Sequence, residues 1–197
     1  MVNDNFSILR QSILDCTDCE SKFGFKPIPI VHGSVNSRIF QISQAPSNNV
    51  HITRKPFNDS TGKKLKYDWY QIKDEVFYDE DNFYITSLSH CFPGKSKNGG
   101  DKLPPMSCAK KWLNKEIATV NNEIFIIIGG KAAKFLFPDM DYTELIFRDN
   151  IINNKLAIVL PHPSPLNVKW FKDHPEFEET RLPYIRNKVW EVLGIIK

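Results

Sequence analysis

The 197-residue sequence contains no uninterrupted apolar run long enough to cross a bilayer. Its first residues, Met1-Val2-Asn3-Asp4-Asn5, lack the basic region and apolar stretch of a secretory leader. These absences predict a cytoplasmic protein with no membrane partner. Charge of one sign is also scarce: a net +3 is compatible with a nucleic-acid partner but far too mild to identify one. No internal repeat, low-complexity tract or linker interrupts the chain, so residues 1–197 read as a single domain. Cysteine is limited to four residues, and in a reducing compartment these read as metal ligands or buried thiols rather than disulfides.

What is present is a core. With 41% hydrophobic and 25% charged residues, the chain has the composition of an ordinary folded domain, which argues against disorder. Apolar residues at helical spacing mark residues 5–14, a helix ending at Cys16-Thr17-Asp18-Cys19. Buried-strand patterns cover 38–43, 82–87, 124–128 and 156–160, and the first ends abruptly in Gln44-Ala45-Pro46-Ser47. Helical patterns cover 63–72, with Ser60 or Thr61 as N-cap candidate, then 107–120, 131–137 and 177–193. Residues 90–105, rich in Gly, Pro and Lys, predict a long irregular excursion. Strands alternating with helices predict an α/β fold with a mainly parallel sheet covered on both faces.

Cys16 and Cys19 stand at C-x-x-C spacing, and Cys91 and Cys108 flank the Gly/Pro-rich excursion. Four thiolates converging from such positions hold either a tetrahedral zinc or a cubane cluster. By spacing alone, four unrelated buried cysteines is the competing reading.

Seven segments in order carry a resemblance: the C-x-x-C start, Gln44-Ala45-Pro46-Ser47, Lys55-Pro56-Phe57, Phe83-Tyr84-Ile85-Thr86-Ser87, Cys91-Phe92-Pro93-Gly94, Cys108-Ala109-Lys110-Lys111-Trp112-Leu113 and His162-Pro163-Ser164. Together they resemble the iron–sulfur branch of the uracil-DNA glycosylase superfamily. The resemblance implies a three-layer sandwich around a four-stranded, mainly parallel sheet, with a base-binding pocket in the loops at the strand ends. It also implies a [4Fe-4S] cluster on Cys16, Cys19, Cys91 and Cys108, with zinc as the alternative. The implied partner is DNA bearing a damaged base, double or single stranded, met by a monomer. A base inside a duplex cannot present its glycosidic bond, so such enzymes extrude the nucleotide or act on single strands.

The resemblance places a base-stacking ring at Phe57, although a Phe after Pro is commonly just packed. His162, between two prolines after a strand, is expected to stabilise charge on the departing base; a structural turn histidine is the alternative. Leu166 resembles the family's wedge into the duplex, against simple packing under the next helix. Ser164 is expected to meet a phosphate, as are Lys63, Lys64 and, less specifically, Lys66 and the 95–102 loop. Ala45 and Asn58, neighbours of Gln44 and Phe57, join Ser87 on the base-binding side.

Three positions depart from the pattern. The family has a glutamate at Gln44, a second acid at Val50 and an asparagine at Ser87, and these are the residues that activate water and select uracil. Gln44 is expected to orient a water through its amide, and Asp59 either acts as the base or caps the following helix. A single hydroxyl at Ser87 offers less than an amide, so a base other than uracil, such as hypoxanthine or xanthine, is a candidate. A chain that binds DNA without cutting it is the rival expectation.

Overall fold

In this computed structural model, residues 2–97 and 99–195 are described; Met1 of the leader argument and position 98 of the 95–102 loop lie outside them. Four strands take the expected places: β1 (Ile39–Ser43), β2 (Phe83–Ser87), β3 (Ile124–Ile128) and β5 (Lys155–Leu160). They run parallel, with β1 between β2 and β3, and β3 between β1 and β5. Every residue of β2 and β3 is buried, as befits strands covered on both faces. The core joins sheet residues such as Phe40, Phe83 and Phe125 to helix residues such as Trp69, Leu113 and Val189.

The sheet has a fifth strand that the four-strand expectation lacked. β4 (Asn150–Ile152) pairs antiparallel with β5 at the edge. Between them Asn153 and Asn154 take left-handed φ values of 49° and 61°, the conformation of a tight two-residue hairpin turn. The adjacent asparagines are the sequence signal for this turn, and a three-residue strand is too short to show alternation.

Two further segments differ locally. The stretch after Pro46 holds a short helix, Asn48–Thr53, whose N-cap Ser47 accepts a bond from the Val50 N–H. The helix expected over 63–72 begins earlier, at Ser60–Lys63, and then widens into a π-helix over Lys64–Tyr70. Its N-cap is Asp59, whose carboxylate accepts the Gly62 N–H at 3.0 Å, rather than Ser60 or Thr61. No helix among the described residues is long and apolar enough to cross a membrane.

The sheet order creates a switch point. The chain leaves β1 toward β2 on one side, and leaves β3 toward β5 on the other. Loops diverging from adjacent carboxyl ends open a crevice there, the usual ligand site of open α/β sheets. Ser43 and Ser87 are register partners, so the segments that follow them start side by side.

Candidate base-binding pocket and thiol cluster

A pocket of about 560 Å³ opens over these strand ends, within the range of small-molecule sites. Gln44, Ala45, Phe57, Asp59, Ser87, His162 and Leu166 all line it, so residues spread over more than a hundred positions converge. Val50, Thr86, Lys95, Asp101 and Lys102 complete much of the wall.

His162 is held from three sides. The Ser164 N–H donates to its Nδ1 at 3.2 Å, and the Asn167 amide donates to its carbonyl at 3.2 Å. Gly129, at φ +86°, passes so close that an added Cβ would stand 3.4 Å from the ring. A ring nitrogen that accepts carries no proton, so the neutral tautomer bears its hydrogen on Nε2. Although His162 keeps solvent exposure on its open side, the protein atoms around the ring desolvate it and lower its pKa below the ordinary histidine value, with Asp59 opposing. The ring is therefore neutral at pH 7 and presents an N–H donor.

Phe57 is half-buried and lies edge-on to Phe77, with ring centroids 6.1 Å apart. Its φ is +52°, a left-handed backbone that costs a non-glycine residue about 1–2 kcal/mol. Gly62 makes this bend possible, since a Cβ there would fall 1.8 Å from the Phe57 carbonyl oxygen.

Asp59 caps the helix through one carboxylate oxygen, and its second oxygen accepts from the Ser47 hydroxyl at 3.3 Å at the pocket wall. Ser87 donates its hydroxyl proton to the Ser89 carbonyl at 2.8 Å, leaving only acceptor lone pairs for a ligand. Leu166 is 94% exposed, which excludes the packed alternative. Ser164 accepts the Leu166 N–H on its Oγ and keeps its own proton for a further acceptor.

Other expected residues lie elsewhere. Asn58 is outside the pocket lining, its amide engaged by Asn49 at 2.6 Å and Thr53 at 2.9 Å. Lys64 turns toward the C-terminal segment, 3.8 Å from Glu178 and 4.3 Å over the Phe171 ring. Lys66 is buried and paired with Asp74, so it cannot reach a phosphate. Lys63 is exposed on the first short turn.

The four cysteines are free thiols, and Cys16, Cys19 and Cys108 all lie within electrostatic reach of Cys91. Burial pushes the Cys19 thiol up to about 11 and the Cys91 thiol up to about 12, and each is raised further by the charges of the other cysteines. Cys16 follows the N-terminal helix, Cys108 lies in the first turn of Met106–Thr119, and Cys91 anchors the excursion. Among the described residues, no three His, Cys, Asp or Glu side chains stand close enough for a single ion. Around the thiols, His90 Nδ1 lies 3.5 Å from Cys108 Sγ and Lys111 Nζ 3.8 Å from Cys16 Sγ. His90 Nε2 in turn meets fully buried Glu116 at 2.9 Å, a carboxylate that also accepts from Tyr84 and Thr86. Sequence reasoning missed this network, because its members come from separate elements and no motif joins them.

The open, mostly parallel sheet flanked by helices is an α/β fold with a pocket at its switch point. The sequence profile of the Uracil DNA glycosylase superfamily matches residues 30–186, and the chain belongs to that superfamily. The Type-4 uracil-DNA glycosylase of Saccharolobus solfataricus is 25% identical over 139 residues, covering 70% of this chain and 62% of that relative's length. Cys91 and Cys108 fall inside the superfamily match, whereas Cys16 and Cys19 precede it.

Proposed function

We propose that the chain is a monofunctional DNA glycosylase, which hydrolyses the N-glycosidic bond of uracil or another deaminated base and leaves an abasic site. The observation that carries this is the Ser164 N–H bond to His162 Nδ1, which leaves the ring proton to Nε2, on a histidine that lines the same pocket as Phe57. An extruded base stacks on the Phe57 ring, and its lactam N–H meets the acceptor-only Ser87 hydroxyl. Uracil, hypoxanthine and xanthine all carry such an N–H. As the C1′–N bond breaks, the electron pair departs with the base, and His162 Nε2–H stabilises the anion. Water adds to C1′, oriented by the Gln44 amide, and its proton passes to the Asp59 carboxylate. No amine nucleophile is needed.

At the pocket rim, Leu166 fills the space left by the extruded base, while Ser164, Lys63 and Lys102 meet phosphates, as does Lys95 once it exchanges its Asp101 partner, 2.6 Å away, for a phosphate. The partner is DNA, bound by a monomer. The four thiols would hold a [4Fe-4S] cluster, which would tie the N-terminal helix, the excursion and the helix Met106–Thr119 together. The chemistry of the donor set fits: four free sulfurs within electrostatic reach of one another, of which Cys19 and Cys91 are buried where a thiolate needs a cationic centre. A single zinc held by the same four thiolates is the alternative.

One observation favours a binder without catalysis: Val50, at the position of the family's second acid, is buried and apolar in the pocket wall. The deciding experiment incubates anaerobically purified protein with oligonucleotides bearing uracil, hypoxanthine or xanthine and tests for alkali-labile sites. Product that disappears in His162→Gln supports the glycosylase. Tight DNA binding by a brown protein that cuts none of them supports the binder.

A further inference from the structure

Behind Phe57 lies a polar cluster centred on a buried lysine that neither the pocket chemistry nor the thiol cluster uses. Lys66 is 2% exposed, an unusual burial for an ammonium group. It sits in the π-helix Lys64–Tyr70, whose wide turn brings Leu65, Lys66, Trp69 and Tyr70 all to the interior. Such π-turns recur at functional sites. Its Nζ donates to Asp74 Oδ1 at 2.6 Å and to the Tyr78 hydroxyl at 3.1 Å. Tyr67 donates to the same Asp74 oxygen at 2.6 Å, and Lys55 covers the Tyr78 ring at 4.0 Å.

The Tyr78 hydroxyl, with Lys66 donating to it, turns its own proton toward two carbonyls, Pro56 O at 2.9 Å and Phe57 O at 3.2 Å. These carbonyls belong to the peptide units on either side of the Phe57 Cα. Fixing both planes fixes φ and ψ of that residue together, and φ here is the strained +52°. Strain of this kind persists only where the surroundings over-determine it.

We propose that Tyr78, anchored by the Lys66–Asp74 pair, is a positioning residue that locks Phe57 in its left-handed conformation and thereby presents the stacking face for the extruded base. This rests on the glycosylase reading of the pocket. Tyr78 touches no substrate; it acts through the Phe57 backbone.

The test is a double-mutant cycle on whichever of the uracil, hypoxanthine or xanthine oligonucleotides the wild-type chain cleaves. Tyr78→Phe leaves the Lys66–Asp74 pair in place, and its single-turnover rate is expected to fall on the order of tenfold, with the oligonucleotide Kd unchanged. In a Phe57→Ala background the same substitution is expected to change the rate by less than about twofold, because neighbouring residues that act as one are not additive. Lys66→Met supplies a second arm, with a loss in the same direction and the same dependence on Phe57. Equal losses in both backgrounds, or a wild-type rate in Tyr78→Phe and Lys66→Met, overturn the proposal while the glycosylase reading stands. A wild-type chain that makes no abasic product from any of the three oligonucleotides overturns the reading beneath it, and the proposal with it.

Discussion

The two walls of the pocket are built on opposite plans. On the Phe57 side, a strained backbone is pinned by Tyr78, braced from beneath by Phe77 and given room only by Gly62. On the His162 side, the loop from Pro161 to Asn167 bonds mainly to itself, and its tip residue Leu166 projects almost entirely into solvent. In the proposed glycosylase the difference would serve two tasks. A stacking face gains from preorganisation, since a ring already in place loses little freedom when a base arrives. A wedge must meet DNA whose shape changes as the base leaves, and an exposed tip on a short loop can follow it.

The largest effect should come from the rigid wall. Gly62→Ala places a Cβ 1.8 Å from the Phe57 carbonyl oxygen, so backbone must move. A loss of about 3 kcal/mol in denaturant stability is expected, together with loss of excision, from overpacking where nothing flexible can yield. Unchanged stability would show that the Phe57 bend is easily relaxed, and the contrast between the walls would collapse. His162→Gln should lower the single-turnover rate by about 10² to 10³, with folding intact, because the loop carries its own hydrogen bonds. A matching loss of DNA affinity would instead make His162 a binding residue.

Leu166→Ala should weaken excision several-fold from duplex DNA and leave single-stranded substrate almost untouched, because only a duplex needs its gap filled. Equal losses on both substrates would mean that the tip supports the pocket rather than the DNA. The smallest effect concerns pH. The folded-state pKa of His162 lies below its ordinary 6.5, so its contribution to stability is complete above that value and is lost as acidification carries the ring through its lowered pKa. Protonation also replaces the acceptor at Nδ1 and breaks the Ser164 bond. A pH titration of thermal stability for wild type and His162→Gln should show the extra acid sensitivity in the wild type alone.

Much of this architecture is legible in residue order. Five-residue apolar runs such as Ile124–Ile128 read as strands because burial on both faces leaves no room for polar residues. The motifs at 44–47 and 162–164 read as strand-end loops, and Gln44 and His162 do line one pocket together with Phe57 from the 55–57 motif. Asp59 shows the limit: an aspartate ahead of Ser-Thr-Gly signals a cap in sequence, and only the fold places its other oxygen beside Ser47 at the pocket wall. Lys64 and Lys66 looked alike as helix-start cations. The π-helix sends one across the Phe171 ring and buries the other.

The sequence alone determined the parallel α/β layout and the four-cysteine set, because these rest on local periodicity and composition that a chain carries wherever it folds, while the candidate ring and imidazole were named by short motifs that resemble the family's. The tertiary structure decided the β4 edge strand, the neutral Nε2–H tautomer of His162, the engagement of Ser87 by Ser89, and the Lys66–Asp74–Tyr78 brace behind Phe57. Those depend on distances between atoms from separate elements, and hydrogen bonds and burial energies fall off over a few ångströms while sequence separation places no bound on which residues meet.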